Sequence, residues 1–519
     1  MNDLDSTMLV IGDTPQLFLD NLIIEACQDI TKTFHQPTKD PANPVIKQDK
    51  PWENSLFFQS ANHVVCRDSQ NGLFKCWYED VIDGSPEYSL FDGRQCYAES
   101  TDGIHWEKPE LDIVVENGRK TNIVLGAGAD GIESAHSLGV IEDPFPADDG
   151  QRFRALFSHY PPYEGEIRMA SSADGIRWTV ADERPCFGKG GSKMGDASML
   201  HYDHWNRTFV AYCRHWYLGH ASLNPRNPVG PTNPGPRYPY DFSRQNRRRI
   251  FLSESPDMQH WGQPYAILCP DDEDDNLDDG FYGMKYDQAG NLHIGFLNVF
   301  HRVRNEIDVQ LVFSHDRKRW RHANNHQPWL PQGAPGEWDQ HMVNVSSQIV
   351  EVGDELLIFY GGANCHHDYH IWGKREGLDH PETRDPSLVR YGLGLARLRK
   401  EGFASVGSGS VREGLLVTRP FMSDGTGLVI NARCGTDGYI VVEVVDDYDE
   451  PLKDRRREDC DVFTGDSTAH RMSWKGDPML PVARPEFGGS TVFPWKKQEP
   501  YRKLRFFMKN AELFSFCMR

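Results

Sequence analysis

The chain has 519 residues, a formal net charge of −20 at pH 7, and 13 Trp, 19 Tyr, 27 Phe, 46 Gly and 33 Pro. The negative charge argues against nucleic acids and anionic membranes as partners, because both need a basic surface. No run of residues reaches the roughly 18 apolar positions of a membrane span. The N-terminal Met1-Asn-Asp-Leu-Asp5 lacks the basic start and apolar run of a signal peptide, which predicts a cytoplasmic protein.

Five similar units, each with three β-rich segments, follow one another along the first 404 residues. The first segments of the units are 56–65, 137–141, 197–202, 282–286 and 342–346. The second segments are 73–78, 153–157, 208–212, 292–297 and 355–360. The third segments are 95–100, 167–171, 249–253, 309–313 and 391–396. Five such units predict a five-bladed β-propeller, a closed ring without exposed sheet edges, and we expect residues 16–24 to supply a strand that completes the fifth blade.

A short phrase ends each of the first four units. It reads Ser100-Thr-Asp102-Gly103-Ile-His-Trp106 in the first unit and recurs with its tryptophan at Trp178, Trp261 and Trp320. The spacing of about 60 to 80 residues suits a four-stranded propeller blade with a long loop. Serine would end a strand, aspartate would bond the turn backbone, glycine would allow a positive φ, and tryptophan would begin the next strand. We therefore interpret the aspartates of the phrase (Asp102, Asp174, Asp257 and Asp316) as structural.

The chain changes character near residue 405. Residues 402–410 are small and polar and predict a linker. Short alternating segments follow at 414–420, 427–432, 439–445, 503–508 and 511–516, with no helical period. We predict an all-β chain in which a propeller domain (1–404) is followed by a β-sandwich domain (411–519).

The phrase Ser-x-Asp-Gly-x-x-Trp and the C-terminal Leu504-Arg-Phe-Phe-Met-Lys-Asn-Ala-Glu-Leu-Phe-Ser-Phe516 resemble a bacterial subgroup of the invertase and levanase family, glycoside hydrolase family 32. The propeller is also similar to that of family 43. The resemblance implies a five-bladed propeller with a C-terminal β-sandwich, a glycosidase activity, and a sandwich that can mediate a homo-oligomer. The Trp-Met-Asn-Asp-Pro-Asn-Gly motif of invertases is absent, and Glu142-Asp143-Pro144 is the nearest counterpart of their Arg-Asp-Pro. The resemblance therefore implies no particular sugar.

Acidic residues stand before the first strand of every unit, where the loops should rim one mouth of the channel. They are Glu53, Glu133, Asp196, Asp278, Asp279, Glu337 and Asp339. Glycoside cleavage needs one carboxyl group to protonate the leaving oxygen and another to attack or to activate water. We predict Glu53 as nucleophile or base and Asp196 or Asp339 as general acid.

Other polar and aromatic residues near these entries are predicted to bind substrate, an oligosaccharide or glycoside. The predicted set is Glu133, His136, Arg214, Asp279, Tyr282, Glu337, Trp338, His341 and His366. Arg214 could hold an anionic group, and the aromatic rings could stack on sugars. No cofactor is expected. The spacing of His366 and His370 would suit a metal on a helix, but the segment is typical of a loop, so we predict no metal.

Three classes of function are compatible with the sequence. The first is an exo-acting glycosidase on a furanoside or short oligosaccharide. The second is another enzyme on the same frame: a glycoside phosphorylase, with Arg214 and His215 as phosphate ligands, or a sialidase-like enzyme. The third is a non-catalytic carbohydrate-binding protein, which would need no convergent acids.

Overall fold

Five four-stranded antiparallel sheets form the larger part of the protein. A computed structural model of the chain describes residues 9–59, 62–81, 93–129, 131–159, 166–187, 198–215, 248–271, 273–276, 278–367, 379–446, 449–480 and 501–519. The first strands of the sheets are His63–Arg67, His136–Glu142, Ser198–Asp203, Asp279–Ala289 and Met342–Val352. Each lies beside the first strand of the next sheet, and the fifth lies beside the first. The sheets are therefore the blades of a closed five-bladed propeller, and their first strands surround the channel, as predicted.

The outer strands complete each blade in chain order. The second strands are Phe74–Val81, Phe153–His159, Thr208–His215, Leu292–His301 and Glu355–Ala363. The third strands are Gly93–Ser100, Glu166–Ser172, Arg249–Ser255, Glu306–Ser314 and Tyr391–Arg399. The fourth strands are Trp106–Glu107, Thr179–Val180, Tyr265–Leu268, the pair Arg321–His322 and Pro328–Leu330, and the pair Thr38–Lys39 and Ile46–Lys47. Because each blade is covered by two neighbours, a middle strand such as Leu292–His301 is buried along its whole length.

Short elements decorate the blades. Ser55–Phe57 pairs beside the inner strand of blade 1, Leu111–Glu116 and Arg119–Thr121 form a hairpin, Ile123–Leu125 pairs with blade 1, and Cys186–Phe187 pairs with His260–Trp261. The helical elements of the described residues are Pro381–Arg384 and the 3-10 turns Asp149–Gln151, Asn324–His326, Pro386–Leu388 and Arg457–Asp459. Among the described residues, no helix has the length and apolar character needed to cross a membrane.

The repeated phrase forms the predicted turn between the third and fourth strands. In the first copy, Asp102 Oδ1 accepts hydrogen bonds from the backbone N–H groups of Ile104 and His105, both at 2.8 Å. The residue that follows the aspartate of the phrase has φ of 77° at Gly103 and 78° at Gly175. In the other copies Met258 and Arg317 take the same left-handed conformation, with φ of 67° and 62°. The structural interpretation of the phrase is confirmed, and glycine is not required at every copy.

The C-terminal β-sandwich is one eight-stranded sheet that wraps a single apolar core. Its strands are Gln16–Leu17, Ile24–Gln28, Thr31–Phe34, Ala404–Ser408, Gly414–Thr418, Leu428–Val445, Asp466–Arg471 and Lys503–Met518. The two longest strands, Leu428–Val445 and Lys503–Met518, pair along their length and bend at β-bulges. A parallel pair, Leu9–Val10 with Phe421–Met422, lies beside this sheet.

Two predictions about the domain boundaries are wrong. Residues 16–24 do not complete blade 5, because Gln16–Leu17 pairs with Lys503–Met518 and Ile24–Gln28 pairs with Gly414–Thr418. Thr38–Lys39 and Ile46–Lys47 close the propeller instead, by pairing with Tyr391–Arg399. The predicted linker at 402–410 contains a strand of the C-terminal sheet. The N-terminal segment thus contributes first to the sandwich and then to the propeller.

Candidate active site

The candidate site is the mouth of the channel at which the inner strands begin. In an antiparallel blade, the second strand ends and the third strand begins at this same edge. His136 and Asp279 begin inner strands, and His341 directly precedes one. The structure therefore brings these three predicted residues to one edge of the ring.

A buried carboxylate holds His136 at the junction of blades 1 and 2. Glu79, near the end of the second strand of blade 1, contacts His136 Nδ1 through Oε1. Its Oε2 accepts hydrogen bonds from Asn62 Nδ2 at 2.5 Å and from the Ser137 backbone N–H at 3.1 Å. The Glu79 side chain is 0% exposed, whereas that of His136 is 12% exposed. Glu79 therefore fixes the orientation of an imidazole that reaches the mouth.

The backbone is strained next to this pair. Ser137 has φ of 54°, a conformation that is costly for a residue with a side chain, and a register shift follows before Gly139. This backbone conformation places both the Ser137 N–H and the preceding His136 ring against the Glu79 carboxylate.

Two carboxylates clamp a histidine at the mouth of blade 4. His301 Nδ1 lies 2.7 Å from Asp279 Oδ1, and His301 Nε2 lies 2.8 Å from Asp308 Oδ2. Burial opposes a charged ring, but the hydrogen bonds to the two carboxylates raise the pKa of His301 to about 10. His301 is therefore an imidazolium near neutral pH, and this triad is an ionic clamp that positions the start of the inner strand.

A second group of histidines and carboxylates lies between blades 4 and 5. His341 Nδ1 is 3.0 Å from Glu306 Oε1, and His366 Nδ1 contacts Glu382 Oε1. The rings of His341 and His366 stack with centroids 4.0 Å apart, and His380 lies 4.9 Å from His366. Burial acts against ionisation of Glu306, but the hydrogen bond with His341 lowers the pKa of Glu306. The side chains of Glu306, His341 and His366 are partly exposed, that of Glu382 is buried, and together they form one polar wall of the mouth.

Three groups of described residues have donor atoms close enough to hold a metal ion. They are Glu306 with His341 and His366, then His366 with His380 and Glu382, and, elsewhere on the protein, Asp275 with His322 and His326. Within each group the donor atoms lie within 4.8 Å of one another.

Aromatic rings form the wall beside blade 4. Tyr282 lies 4.7 Å from His367, and Phe300 lies 4.6 Å from the same ring. The Arg248 guanidinium packs over Tyr282 at 4.5 Å and over Phe300 at 5.0 Å. Tyr282 is half-buried with the Arg248 cation over its ring, and its role as a stacking platform stays a prediction.

Two titratable residues of the described inner strands, Lys285 and His63, are almost completely buried. Lys285 is 1% exposed, and burial lowers its pKa to about 7. The positive charge of Lys285 is felt at His63, whose Nε2 has no partner, while its Nδ1 faces the Gln59 carbonyl at 3.3 Å. Burial lowers the pKa of His63 to about 3, so this ring is neutral.

Glu53 is not placed to be the predicted nucleophile. Its side chain is 0% exposed and bonds to Lys108 Nζ at 2.6 Å and to the Tyr78 hydroxyl at 2.8 Å. Its other oxygen accepts from the backbone N–H groups of Asp49 and Lys50. Both oxygens are therefore occupied by the protein, and the geometry is that of a structural ion pair that joins the loop to blade 1.

Asp339 has the same difficulty as a general acid. It is bonded to Lys39 Nζ at 2.6 Å and to the Tyr360 hydroxyl at 3.0 Å, and its side chain is 2% exposed. Trp338 stacks on Tyr360 at 5.7 Å and packs against the apolar core of blades 4 and 5. Asp339 and Trp338 thus anchor blade 5 to its closing strand.

The remaining predicted residues lie at the surface or outside the described residues. Glu337 is exposed and accepts a hydrogen bond from the Ala334 backbone N–H, and Glu133 is exposed. Asp196 and the side chain of Arg214 are outside the described part of the chain, so their roles stay predictions.

Several residues of the mouth were missed by the sequence analysis. They are Glu79, His301, Glu306, Asp308, His380 and Glu382. The predicted carboxylates were all taken from the entries to the inner strands. The ends of second strands and the starts of third strands meet the same edge, and the acidic pairs Glu79-Asp80 and Glu306-Ile-Asp308 at those positions were the available signal.

No protein-family model matches the chain, and no curated protein matches it in sequence. One similar solved structure is that of an N-acetylgalactosamine deacetylase from F. plautii in complex with blood group B trisaccharide. It has a TM-score of 0.44 and 14% sequence identity, and the match covers 72% of this chain and 97% of that one. A structure from the GH130 family of mannoside phosphorylases, which contains glycoside hydrolases that target β-1,2 mannosidic linkages in Candida mannan, has a TM-score of 0.41, 14% identity, and coverage of 70% and 94%. A glycosyl hydrolase from Bacteroides ovatus has a TM-score of 0.41, 14% identity, and coverage of 70% and 93%.

These scores are too low to assign a fold or an activity, so the fold described above rests on the strand pairing of this chain. The particular assignment to the invertase family or to family 43 has no support from the comparisons.

Proposed function

We propose that the protein is a carbohydrate-active enzyme that cleaves glycosidic bonds at the mouth of the propeller channel. The observation that carries this proposal is the contact between the fully buried Glu79 and the partly exposed His136. A carboxylate that sets the orientation of an imidazole and stabilises its protonated form is a recurring device for proton transfer. The predicted sugar substrate suits the remainder of the mouth, where Tyr282 offers a ring face for stacking and further polar groups can hydrogen-bond hydroxyls.

The cleavage requires a proton donor for the leaving oxygen and a second group that attacks or activates water. His136 takes the first role and Glu79 positions it. We assign the second role to Asp278, which is half-buried at the entry to the inner strand of blade 4 and has one oxygen held by the Val303 backbone N–H at 3.0 Å. Asp196, the predicted general acid from blade 3, is a further candidate for proton donation.

A screen over aryl glycosides and oligosaccharides, with and without phosphate, tests the proposal. We expect His136→Gln and Asp278→Asn to lose about 10²- to 10⁴-fold in kcat/KM while keeping the Tm of the wild type. The matched control is His105→Gln, because His105 makes a similar contact with Asp102, at 2.7 Å, on an exposed outer turn. Asp196→Asn measured beside them decides whether that residue shares the acid role.

The pH dependence of the rate tests the positioning role of Glu79. In Glu79→Gln the imidazole keeps a hydrogen-bonding neighbour but loses its negative partner, so the limb of the pH–rate profile governed by the ring should move to lower pH. A fall in rate with an unmoved profile would mean that Glu79 only supports the fold. If no glycoside is cleaved while sugars still bind, the protein is a carbohydrate-binding protein, and a strict need for phosphate would make it a phosphorylase.

A further inference from the structure

We propose that Glu306, His341 and His366 bind one divalent transition-metal cation of the zinc class, with Glu382 positioning His366. This site contradicts our expectation from the sequence that no metal is bound. It does not depend on the proposed glycosidase activity, because metal content and affinity can be measured without a substrate.

The distances between the donor atoms fit such an ion. Zinc bonds to imidazole nitrogen and carboxylate oxygen are about 2.0–2.2 Å long, so the edges of a tetrahedral site are roughly 3.3 Å. His341 Nδ1 and Glu306 Oε1 are 3.0 Å apart, and all donor atoms of the three residues lie within 4.8 Å of one another. Small side-chain adjustments would therefore let a cation replace the hydrogen bond between His341 Nδ1 and Glu306 Oε1, with the proton of the neutral ring moving to His341 Nε2.

The backbone holds these residues together before any ion binds. The His341 N–H donates to the Ala363 carbonyl at 3.1 Å, and the His341 carbonyl accepts from the Ile307 N–H at 3.0 Å. The His367 N–H donates to the Asn305 carbonyl at 2.9 Å, which ties the loop of His366 to the strand that begins with Glu306. Each ligand is thus fixed by a hydrogen bond made at its own or an adjacent residue, as metal sites require.

The chemistry of the donors selects the metal. Two imidazoles and one carboxylate form the protein ligand set of zinc sites that keep a coordination position open for water or substrate. Hard cations such as Ca²⁺ prefer six to eight oxygen ligands, which this group does not offer. Glu306 and Glu382 carry two negative charges when ionised, which a divalent cation would balance.

Glu382 has the place of a second-layer partner. Its Oε1 contacts His366 Nδ1 and also accepts from the His366 backbone N–H at 3.3 Å. A carboxylate that orients a metal-bound imidazole typically contributes 10- to 100-fold in metal affinity. Substitution of a metal ligand should therefore reduce the metal affinity severely, whereas substitution of Glu382 should reduce it moderately.

The separate donor group of Asp275, His322 and His326 provides the matched control. In that group, His326 Nδ1 is 3.1 Å from Asp275 Oδ1, and the rings of His322 and His326 stack at 3.7 Å. His322 Nδ1 is already engaged with Gln310 Oε1 at 3.1 Å. We expect this group to bind metal more weakly, and His326→Ala should leave the proposed site intact.

The experiment measures binding of Zn²⁺ to the chelator-treated full chain by calorimetry, and binding of Co²⁺ by its visible absorption. We expect one tight Zn²⁺ per chain and a Co²⁺ band of four- or five-coordinate intensity. His366→Ala and His341→Ala should weaken Zn²⁺ binding by at least about 100-fold, and Glu382→Gln by about 10- to 100-fold. The Zn²⁺-induced rise in Tm should vanish in the two histidine variants, whose Tm without metal shows that they fold.

Three results would overturn the proposal. One is the absence of tight Zn²⁺ binding to the wild type. Another is loss of the tight site in His326→Ala but not in His366→Ala. The third is preferential binding of Ca²⁺ over Zn²⁺, which would show that the ligands are oxygen atoms other than those named here.

Discussion

At the scale of single residues, buried charge has two different consequences in this protein. Glu53 and Asp339 each meet a lysine and further donors, which offsets the loss of hydration. Lys285 is equally buried, but no acidic group in the described part of the chain contributes to its electrostatics. A buried charge with an ionic partner joins two elements of the fold. A buried charge without such a partner reduces the stability of the folded protein.

Lys285 should make the folding stability depend on pH. Burial lowers its pKa to about 7, against about 10.4 in an unfolded chain. Between these values the unfolded state binds more protons, so this residue makes stability increase as pH rises and decrease as pH falls toward 7. Lys285→Met should therefore stabilise the protein at pH 7, on the order of 2–4 kcal/mol, and by less at pH 9.5.

Thermal unfolding at the two pH values checks this expectation. Lys318→Met is the matched control, because Lys318 is exposed in the outer turn of blade 4. A variant that gains equally at both pH values, or that loses stability at pH 7, would show that Lys285 is not a buried, strained ammonium.

At the scale of elements, the outer turns fix how neighbouring blades pack. In blade 2, Gly175 has φ of 78°, and a Cβ added there would lie 2.6 Å from Trp77 Cζ2 of blade 1. The Trp77 Nε1–H donates to the Gly175 carbonyl at 2.7 Å, so the two blades meet in direct contact at this turn. The glycine serves both the turn conformation and the close approach.

Gly175→Ala should separate these two roles when it is compared with Gly118→Ala. Gly118 has the same φ of 78° but no atom within 4 Å of an added Cβ. Gly118→Ala should cost about 1–2 kcal/mol from the left-handed conformation alone, and Gly175→Ala a further 1–3 kcal/mol from the contact with Trp77. Denaturant unfolding midpoints of both variants measure the difference, and equal losses would mean that the interface of blades 1 and 2 adapts without cost.

The elements that the sequence predicted well are those with a repeated signal. The four copies of the turn phrase and the apolar middle strands define the blades, because each copy meets the same demand of the fold. The closing strands Thr38–Lys39 and Ile46–Lys47 have two residues each and no apolar period, so nothing in the sequence distinguished them from a loop. Residues 16–24 carried the apolar pattern of a strand, but that pattern does not say which sheet receives it.

The candidate site was predicted only in part, for a geometric reason. Entries to inner strands can be found once the strands are known, and this led to His136, Asp279 and His341. Which entry residues face the mouth depends on side-chain partners from other strands, such as Lys108 for Glu53 and Lys39 for Asp339. Those pairings join residues far apart in the chain and become visible only in the folded structure.

At the scale of the whole molecule, the N-terminal segment joins the propeller to the sandwich. Leu17 belongs to a strand of the sandwich sheet, yet its side chain is buried in the core of blades 4 and 5, and its N–H donates to Asn291 Oδ1 at 3.0 Å. Arg399, in the third strand of blade 5, donates to Asn431 at 2.7 Å and packs over Phe514 at 4.8 Å. Contacts of this kind should make the two parts unfold together.

Calorimetry tests that coupling. We expect the wild type to unfold in a single heat-absorption transition, because unfolding of either part would expose the apolar surface around Leu17 and break the polar contacts of Arg399. Leu17→Ala should lower stability by about 2–5 kcal/mol. Leu17→Ala combined with Arg399→Ala should separate the transition into two, whereas Val10→Ala, at a position 68% exposed, should leave one. Two transitions in the wild type would mean that the propeller is stable without the sandwich, and that the N-terminal segment only tethers one to the other.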